Sequence, residues 1–424
     1  MAMDRRDFLR LAAASGLALC APLASSVARA EPYTGTLWLM VNASGGWDPT
    51  SLCDPKGRRS EADEDPMNMY MSGDIGTAGP FKYAPFEGYR EFFEKYQNRM
   101  TIINGIDTET NGHDSGSRHI WSGHLQEGHP SFAALAASHL NKEAPMAYIS
   151  NGGYDVTAGL VARTRSGSTD ALARIAYPNR ADATREDRNY HSENTVVRIR
   201  AAQKERLLAL RDEQHLRRVQ AAMDTLFTAR LGQNEVKRLT EFLPPLDSSN
   251  NPLFRQAQVA IAAYKAGICV SANLSVGGFD THSRHDQGHI PRMQSLIAGV
   301  DFIMSEAERQ GVQQDVVVLV GSDFGRTPGY NDGDGKDHWP VTSMMFLGKG
   351  FPGGRLIGGT TERHGLMRVN PTTLQTLPDT DNNGVRIKPA HIHRQLRKLV
   401  GIDGDDVDRS FPLSSSDVEL KLFT

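Results

Sequence analysis

The most informative stretch of the chain is Val316-Val317-Val318-Leu319-Val320-Gly321-Ser322-Asp323. Five consecutive apolar residues are typical of a central strand in a parallel sheet, where helices cover both faces. The acid comes shortly after the apolar run, so it stands where the strand ends. We therefore expect this segment in the middle of an α/β domain, with Asp323 at the carboxyl edge of the sheet.

Apolar runs elsewhere in the chain predict the remaining strands and helices of this domain. Strands are predicted at residues 36–41, 100–103, 146–149, 269–276 and 343–347, and helices at 86–96, 131–140, 252–267, 291–310 and 389–400. This alternation predicts a largely parallel sheet sandwiched by helices. Residues 49–84 are rich in Gly, Pro, Asp and Met without a period, so we predict a long loop there.

Composition and charge are those of an ordinary globular protein. Hydrophobic residues make up 39% and charged residues 23% of the 424 residues, which excludes a wholly disordered or coiled-coil chain. The formal net charge of −3 gives no electrostatic reason to expect nucleic acid as a partner. Residues 31–424 are predicted to form a single domain. Amphipathic helices at about 189–243 are interpreted as an insertion with a solvated, mixed-charge face.

The first thirty residues have the features of a twin-arginine export signal. They contain the pair Arg5-Arg6, an apolar run at 11–23 and the small-residue pattern Ala28-Arg29-Ala30. The run is shorter than the roughly 18 residues that a membrane-spanning helix needs, and a glycine and a proline interrupt it. We expect removal of residues 1–30, a periplasmic or secreted location, and no stable membrane span afterwards.

Two cysteines remain after the predicted cleavage, Cys53 and Cys269. They are too few for a disulfide scaffold. A single disulfide and two buried thiols are both compatible with the sequence.

Three acids, Asp48, Asp280 and Asp323, each follow a predicted strand through a short turn. The carboxyl ends of parallel strands share one edge of a sheet, which is where ligands bind. Clustered carboxylates repel one another unless a cation compensates their charge. A divalent metal ion is therefore predicted, and oxygen and nitrogen ligands suit Zn, Mn, Mg or Ca.

Histidines near these acids strengthen the metal hypothesis. His282 completes a D-x-H turn that can direct two side chains to one point, and His285 follows it. His391 and His393 in the last predicted helix are interpreted as structural. The predicted metal ligands are Asp48, Asp280, His282, His285, Asp323 and His338.

A candidate nucleophile lies after the second main strand, in the segment N-G-H-D-S-G-S-R-H-I-W at residues 111–121. If a helix begins here, Ser115 stands at its N-terminus, where backbone N–H groups favour an anion. The alternative is that Asp114 or Ser115 only caps the helix. Arg118 could contact a developing oxyanion or only solvent.

Three motifs and the export signal together resemble one bacterial family. The motifs are Gly277-Gly278-Phe279-Asp280-Thr281-His282, Ser322-Asp323-Phe324-Gly325-Arg326-Thr327 and Asp337-His338-Trp339. They resemble the exported domain-of-unknown-function family 1501 over roughly residues 36–400. That family is part of the alkaline phosphatase-like and sulfatase-like superfamily. The resemblance implies an alkaline phosphatase-like fold.

The resemblance to the superfamily also implies a two-metal phosphatase or sulfatase site. By that resemblance Asp48 is the acid after the first strand, Ser115 is the nucleophile, and Asp280 pairs with His282 or His285. Asp323 and His338 match later ligands. Phe324 departs from the pattern, because the superfamily's phosphatases usually have a histidine directly after the third acid. The absence of a C-x-P-x-R sequence excludes a formylglycine sulfatase.

Two functions follow as hypotheses. The first is an exported metal-dependent hydrolase of phosphate or sulfate esters, acting on a small anionic ester or a decorated glycan. The second is a non-catalytic exported metal-binding protein that binds a surface glycan or protein. The lost ligand position at Phe324 leaves room for a single-metal enzyme or an inactive relative.

Overall fold

A computed structural model describes residues 32–165, 177–181, 187–220, 222–223, 237–413 and 418–424. The strands are β1 Leu37–Ser44, β2 Gly76–Ala78, β3 Phe81–Tyr83, β4 Met100–Asp107, β5 Tyr148–Ser150, β6 Arg163–Arg165, β7 Ser271–Gly277, β8 Val316–Ser322, β9 Gly325–Arg326, β10 His338–Trp339, β11 Val341–Gly348, β12 Arg355–Gly358, β13 Arg368–Val369 and β14 Thr376–Leu377. The helices are α1 Tyr89–Tyr96, α2 His113–Ser122, α3 Phe132–Asn141, α4 Glu193–Asp212, α5 Lys237–Phe242, α6 Pro252–Lys265, α7 His285–Arg309, α8 Pro389–Val400 and α9 Asp406–Ser410.

An eight-stranded sheet forms the centre of the fold, in the order β12-β4-β11-β8-β1-β7-β5-β6. The predicted central strand, β8, pairs in parallel with β1, which pairs in parallel with β7 on its other side. The prediction of a largely parallel α/β sheet is confirmed. The exception is β11, which runs antiparallel to both β8 and β4. Residues 323–340, which connect β8 to β11, contain no helix. Because two neighbouring parallel strands need a long crossover connection, usually a helix, β11 instead runs antiparallel to β8.

Helices cover both faces of the sheet. Alternate residues of β1 belong to opposite halves of the core: Leu39 packs with one buried cluster and Trp38 with the other. The first cluster includes apolar residues of α1, α6 and α7, and the second includes residues of α2, α3 and α8. This two-layer burial is the reason that the central strands are apolar at consecutive positions.

Two predicted boundaries are corrected by the structure. Helix α7 begins at His285 rather than at Pro291, which lies inside the helix. Proline lacks the backbone N–H of a helix interior, so its place inside α7 is not evident from the sequence. The predicted loop at 49–84 contains the hairpin β2–β3, whose strands are too short to show a periodic pattern.

The segment predicted as a helical insertion is described in part. Helix α4 has no buried residue, as expected for a solvated helix, and α5 follows after residues that the structure does not describe. The assignment of 189–243 as an insertion stays a prediction. The export signal lies outside the described residues, so it also stays a prediction. None of the described helices is long and apolar enough to cross a membrane.

The remaining cysteines and the closing-helix histidines are structural. Cys53 and Cys269 are buried free thiols, which decides between the two alternatives. His391 accepts a hydrogen bond from the Lys388 backbone N–H at 3.0 Å. His393 Nε2 lies 2.8 Å from the carbonyl oxygen of Ile120.

Candidate metal centre

The candidate site lies at the carboxyl edge of the sheet, where three neighbouring strands end. Asp323 directly follows β8, Asp280 follows β7 by three residues, and the turn Gly45-Gly46 follows β1. Two further segments reach this edge, the start of α2 at His113 and the short strand β10 at His338. The predicted convergence of strand ends therefore occurs.

Three histidines surround the carboxylate of Asp280. Oδ1 of Asp280 lies 3.0 Å from Nε2 of His282 and 3.2 Å from Nε2 of His338. Oδ2 of Asp280 lies 3.4 Å from Nε2 of His113. The two atoms His282 Nε2 and His338 Nε2 are 3.0 Å apart. Ligand atoms of His113, Asp280 and His338 all lie within 4.8 Å of one another, a spacing that one metal ion can bridge.

The outer ring nitrogen of each histidine has an oxygen acceptor. Nδ1 of His113 lies 2.5 Å from Oδ2 of Asp323, and Nδ1 of His282 lies 2.7 Å from Oδ1 of Asp337. Nδ1 of His338 lies 2.7 Å from the carbonyl oxygen of Asn111. Because carboxylates and carbonyls only accept, each Nδ1 must carry the hydrogen. In the neutral rings, each Nε2 then directs a lone pair at Asp280.

This donor set fits a divalent metal ion. Three imidazole lone pairs and a carboxylate repel one another when no cation lies between them. Histidine ligands of metals characteristically donate their second ring N–H to a carboxylate or a backbone carbonyl, as all three do here. We name the group His113, Asp280, His282 and His338 the histidine cluster.

Asp323 lies behind the histidine cluster rather than in it. Its Oδ1 accepts backbone N–H bonds from Gly46 at 2.6 Å and Gly45 at 3.2 Å, and its Oδ2 accepts from His113. With both oxygens engaged, Asp323 orients His113. The hydrogen bond that His113 donates to Asp323 is also the largest cause of the raised pKa of His113. These contacts suit a positioning role, and the prediction of Asp323 as a direct ligand stays a prediction.

Asp280 is held in its charged form by a buried arginine. The Arg326 side chain is fully buried, and its Nη2 lies 2.7 Å from Oδ1 of Asp280. Its Nε donates to the Gly46 carbonyl at 2.8 Å and its Nη1 to the Lys336 carbonyl at 2.9 Å. Partial burial raises the pKa of Asp280, but the hydrogen bond from the Arg326 guanidinium is the largest opposing effect, and the pKa falls to about 2.

Asp48 and His285 form a separate buried group. Oδ2 of Asp48 lies 2.6 Å from Nζ of Lys336 and 3.4 Å from Nε2 of His285, and all three side chains are buried. Burial raises the pKa of Asp48, yet the Lys336 ammonium holds it well below its usual range. Lys336 thus supplies the balancing charge for Asp48, and the prediction of Asp48 and His285 as metal ligands stays a prediction. Asp48 also caps the short 3-10 helix Pro49–Ser51.

The Ser115 hydroxyl is hydrogen-bonded within its own segment, and its role as a nucleophile stays a prediction. This hydroxyl lies 2.6 Å from the Thr110 hydroxyl and donates to the Gly112 carbonyl at 3.1 Å. The capping alternative is also corrected, because α2 begins at His113 with Gly112 as its N-cap. Arg118 is held by the following loop: Nη1 donates to the Leu125 carbonyl at 2.6 Å.

A polar cavity of about 460 Å³ adjoins the cluster at His113. Its lining residues are Ser44, His113, Asp114, Ser117, Arg118, Gly153, Tyr154 and Asp323. A larger groove of about 690 Å³ between α1 and α7 contains no residue of the histidine cluster. Of these two cavities, the smaller therefore places a ligand beside the candidate metal site.

Sequence reasoning missed four residues that build this site: His113, Arg326, Lys336 and Asp337. A signal was available for two of them, since His113 lies in the segment 111–121 that contains Ser115, and Asp337 directly precedes His338. Nothing local indicates that Arg326 and Lys336 are buried, because basic residues are almost always exposed unless they are paired.

The family model for "Protein of unknown function (DUF1501)" matches residues 37–408. The chain belongs to this DUF1501 family. No curated protein matches the sequence of this DUF1501 chain.

Similar solved structures have low identity. They include Ps i-CgsB, with 9% identity, a TM-score of 0.38, and coverage of 89% of this chain and 76% of that chain. A magnesium-bound mutant of alkaline phosphatase TAB5, from an Antarctic bacterium, has 9% identity and a TM-score of 0.37, covering 87% and 99%. A 2-O GAG sulfatase has 9% identity and a TM-score of 0.33, covering 91% and 76%. At these values, the chemistry has to be inferred from the residues of this DUF1501 chain.

Proposed function

We propose that this DUF1501 chain is an exported metal-dependent hydrolase of phosphate or sulfate monoesters. The observation that carries the proposal is the convergence of three histidine Nε2 atoms on the Asp280 carboxylate, with every Nδ1 already bound to an acceptor. The nitrogen-rich donor set favours Zn²⁺ over Mg²⁺ or Ca²⁺, which prefer oxygen ligands. One such site supports a single-metal enzyme.

The residues of the chain have distinct roles in this proposal. The histidine cluster holds the ion, which supplies Lewis-acid stabilisation of the ester's anionic oxygens when bound. Asp323 and Asp337 fix the ring orientations of His113 and His282. Arg326 keeps Asp280 ionised and in place.

Water is the proposed nucleophile, because the Ser115 hydroxyl is engaged by Thr110 and Gly112. Its oxygen attacks phosphorus or sulfur, and the bond from that atom to the ester oxygen breaks. One proton of the water passes to the leaving oxygen, so the products are an alcohol and inorganic phosphate or sulfate. The cavity beside His113 gives the substrate a place to bind.

Export through the twin-arginine pathway to the periplasm or the exterior is part of the proposal. The support is the twin arginine, the short apolar run and the Ala28-Arg29-Ala30 pattern. That pathway carries folded proteins, which suits a chain that acquires its metal before export.

One observation favours a second function, that of a non-catalytic metal-binding protein for a surface glycan or protein. No serine hydroxyl among the described contacts of the histidine cluster is available as a nucleophile. Phe324 instead packs on the rings of His113 and His338, with centroid distances of 4.8 Å and 4.4 Å. Such a protein would retain the metal and hydrolyse nothing.

Metal content and hydrolysis together test the proposal. We expect the exported chain, after dialysis, to retain about one zinc ion and to hydrolyse an aryl phosphate or an aryl sulfate. Asp280→Asn keeps the shape of the side chain but removes the charge, so it should bind zinc more than about tenfold more weakly. Asp332→Asn, at an exposed position, is the matched control.

Two results would count against the proposal. Equal zinc retention by Asp280→Asn and Asp332→Asn would remove the metal site. Zinc retention without hydrolysis of either ester would favour the non-catalytic protein.

A further inference from the structure

The cavity beside the histidine cluster runs along one face of α2. Asp114, Ser117 and Arg118 are three and four residues apart, so they lie on the same side of the helix, and all three line the cavity. From His113 to Arg118 the helix rises about 7.5 Å, at about 1.5 Å per residue. A ligand bound at His113 would therefore lie beside roughly one and a half turns of α2. We call the lining residues of this cavity the wall.

The wall offers both donors and acceptors. Ser44 and Ser117 contribute hydroxyls, Arg118 contributes a guanidinium, and Asp114 contributes a carboxylate. Tyr154 also lines the cavity and has an aromatic side chain. The Arg118 charge is shared with Glu127 at 3.3 Å, so the cavity is not a strongly cationic pocket for a second anion.

Hydrogen bonds hold this wall in place. Arg118 has a largely buried side chain that donates to the Leu125 carbonyl at 2.6 Å. The Tyr154 hydroxyl donates to the His129 carbonyl at 2.5 Å, and the Tyr154 carbonyl accepts from Asn273 at 3.0 Å. A preformed wall reduces the ordering cost of binding.

We propose that this cavity binds the alcohol part of the ester and that this alcohol is a polyhydroxylated ring the size of one sugar. The inference rests on the proposed ester hydrolysis. Sugar hydroxyls both donate and accept hydrogen bonds, as the residue types of the wall do, and an aromatic residue such as Tyr154 suits the apolar side of such a ring. An aryl or alkyl alcohol would leave the wall groups without partners, which costs binding energy.

The volume agrees with this size of ligand. About 460 Å³ lies toward the lower end of the range for small-molecule sites. Arg118 is the specificity-determining residue at the far end of the cavity, where it donates to a ring hydroxyl.

Matched esters test the inference on the zinc-loaded, exported chain. Hexose 6-phosphates and 6-sulfates are compared with phenyl phosphate and phenyl sulfate, and the two series separate phosphate from sulfate chemistry. We expect kcat/KM for one hexose series to exceed that of its phenyl ester at least tenfold, mainly through KM. Arg118→Ala should lower the hexose value about tenfold more than the phenyl value, about the effect of one lost charged hydrogen bond. Arg90→Ala, on the exposed side of α1, is the control.

The outcomes separate this inference from the proposed function. Equal cleavage of hexose and phenyl esters, with equal effects of Arg118→Ala on both, overturns the sugar cavity and leaves ester hydrolysis standing. If no ester is cleaved, calorimetry with the hexose 6-phosphates and 6-sulfates decides. Binding that Arg118→Ala weakens about tenfold supports the cavity, and the absence of binding overturns it.

Discussion

At Lys336, a single side chain compensates the charge of an acid that is distant in the sequence. Its ammonium is fully buried and bonds Asp48 at 2.6 Å and Asn68 at 3.2 Å. Its backbone carbonyl accepts from Arg326, which also holds Asp280. The buried pair of Lys336 and Asp48 therefore stabilises the loop that carries His338.

Lys336→Met should strongly destabilise the protein. The substitution leaves the Asp48 carboxylate buried without a counter-charge, which typically costs about 3–5 kcal/mol. Adding Asp48→Asn in the same chain removes that charge and should recover most of the loss. The free energy of unfolding in urea measures both.

The half-exposed pair of Lys95 and Asp301, at 2.6 Å, provides a comparison on the surface. Lys95→Met should cost less than about 1 kcal/mol, because solvent screens an exposed pair. Equal losses for Lys336→Met and Lys95→Met would contradict the assigned role of the buried pair.

At the scale of elements, the turn after β1 connects the sheet to the histidine cluster. Gly46 has a φ of +76°, and its N–H donates to Asp323 at 2.6 Å. A Cβ atom at this position would lie 2.5 Å from the ring of Phe324. The turn thus needs glycine both for its left-handed backbone and for the close approach of a side chain.

Gly46→Ala should reduce both stability and zinc retention. We expect a loss of at least about 2 kcal/mol beyond that of Gly128→Ala, because the crowding adds to the backbone strain. Gly128 is the matched control, since its φ is +91° and a Cβ added there would meet no atom within 4 Å. Zinc retention should fall only for Gly46→Ala, since Asp323 then loses its support. Similar losses of stability in Gly46→Ala and Gly128→Ala would contradict the predicted clash between a Cβ at Gly46 and the ring of Phe324.

At the scale of the whole molecule, acid should destabilise the fold through a buried neutral histidine. Burial lowers the pKa of His393 to about 3, whereas the unfolded chain titrates near about 6.5. Below the unfolded value, the unfolded state binds the extra proton, so stability falls as the pH drops from about 6.5 to 3. The slope from this one group is about 1.4 kcal/mol per pH unit, and above about 6.5 it vanishes.

His393→Gln should make the acid slope shallower by one proton. Glutamine can still donate to the Ile120 carbonyl but does not titrate. Unfolding free energies measured between pH 4 and 7 check this, with the exposed His191→Gln as the control. An unchanged slope in His393→Gln would show that other groups cause the acid sensitivity.

Export is also a property of the whole chain. Replacing Arg5 and Arg6 with lysine should keep the precursor in the cytoplasm, because the pathway reads the arginine pair. Cell fractionation and the mass of the N-terminus measure the outcome. Normal export of the double variant would exclude this route.

Much of this fold was predictable from local pattern. The run Val316–Val320 identified the central strand β8, because burial on both faces leaves a continuous apolar signature. The position of Asp280 and His282 just after β7 indicated the site, since strand ends meet at one edge. The direction of β11 was not predicted. Its residues are apolar whether the strand runs parallel or antiparallel to β8, so the sequence pattern does not record the direction.

The sequence by itself determined which segments are buried and which polar groups stand at their ends. Only the tertiary structure decided the partners: it set Lys336 against Asp48 and Asp323 behind His113. It also placed His113 beside Asp280 and His338, and it bound the Ser115 hydroxyl to that of Thr110. Local periodicity records burial, which each segment expresses in its own residues. Partner choice depends on contacts between distant residues, such as Lys336 and Asp48 at 288 positions apart, and only the packing of the sheet and helices brings these together.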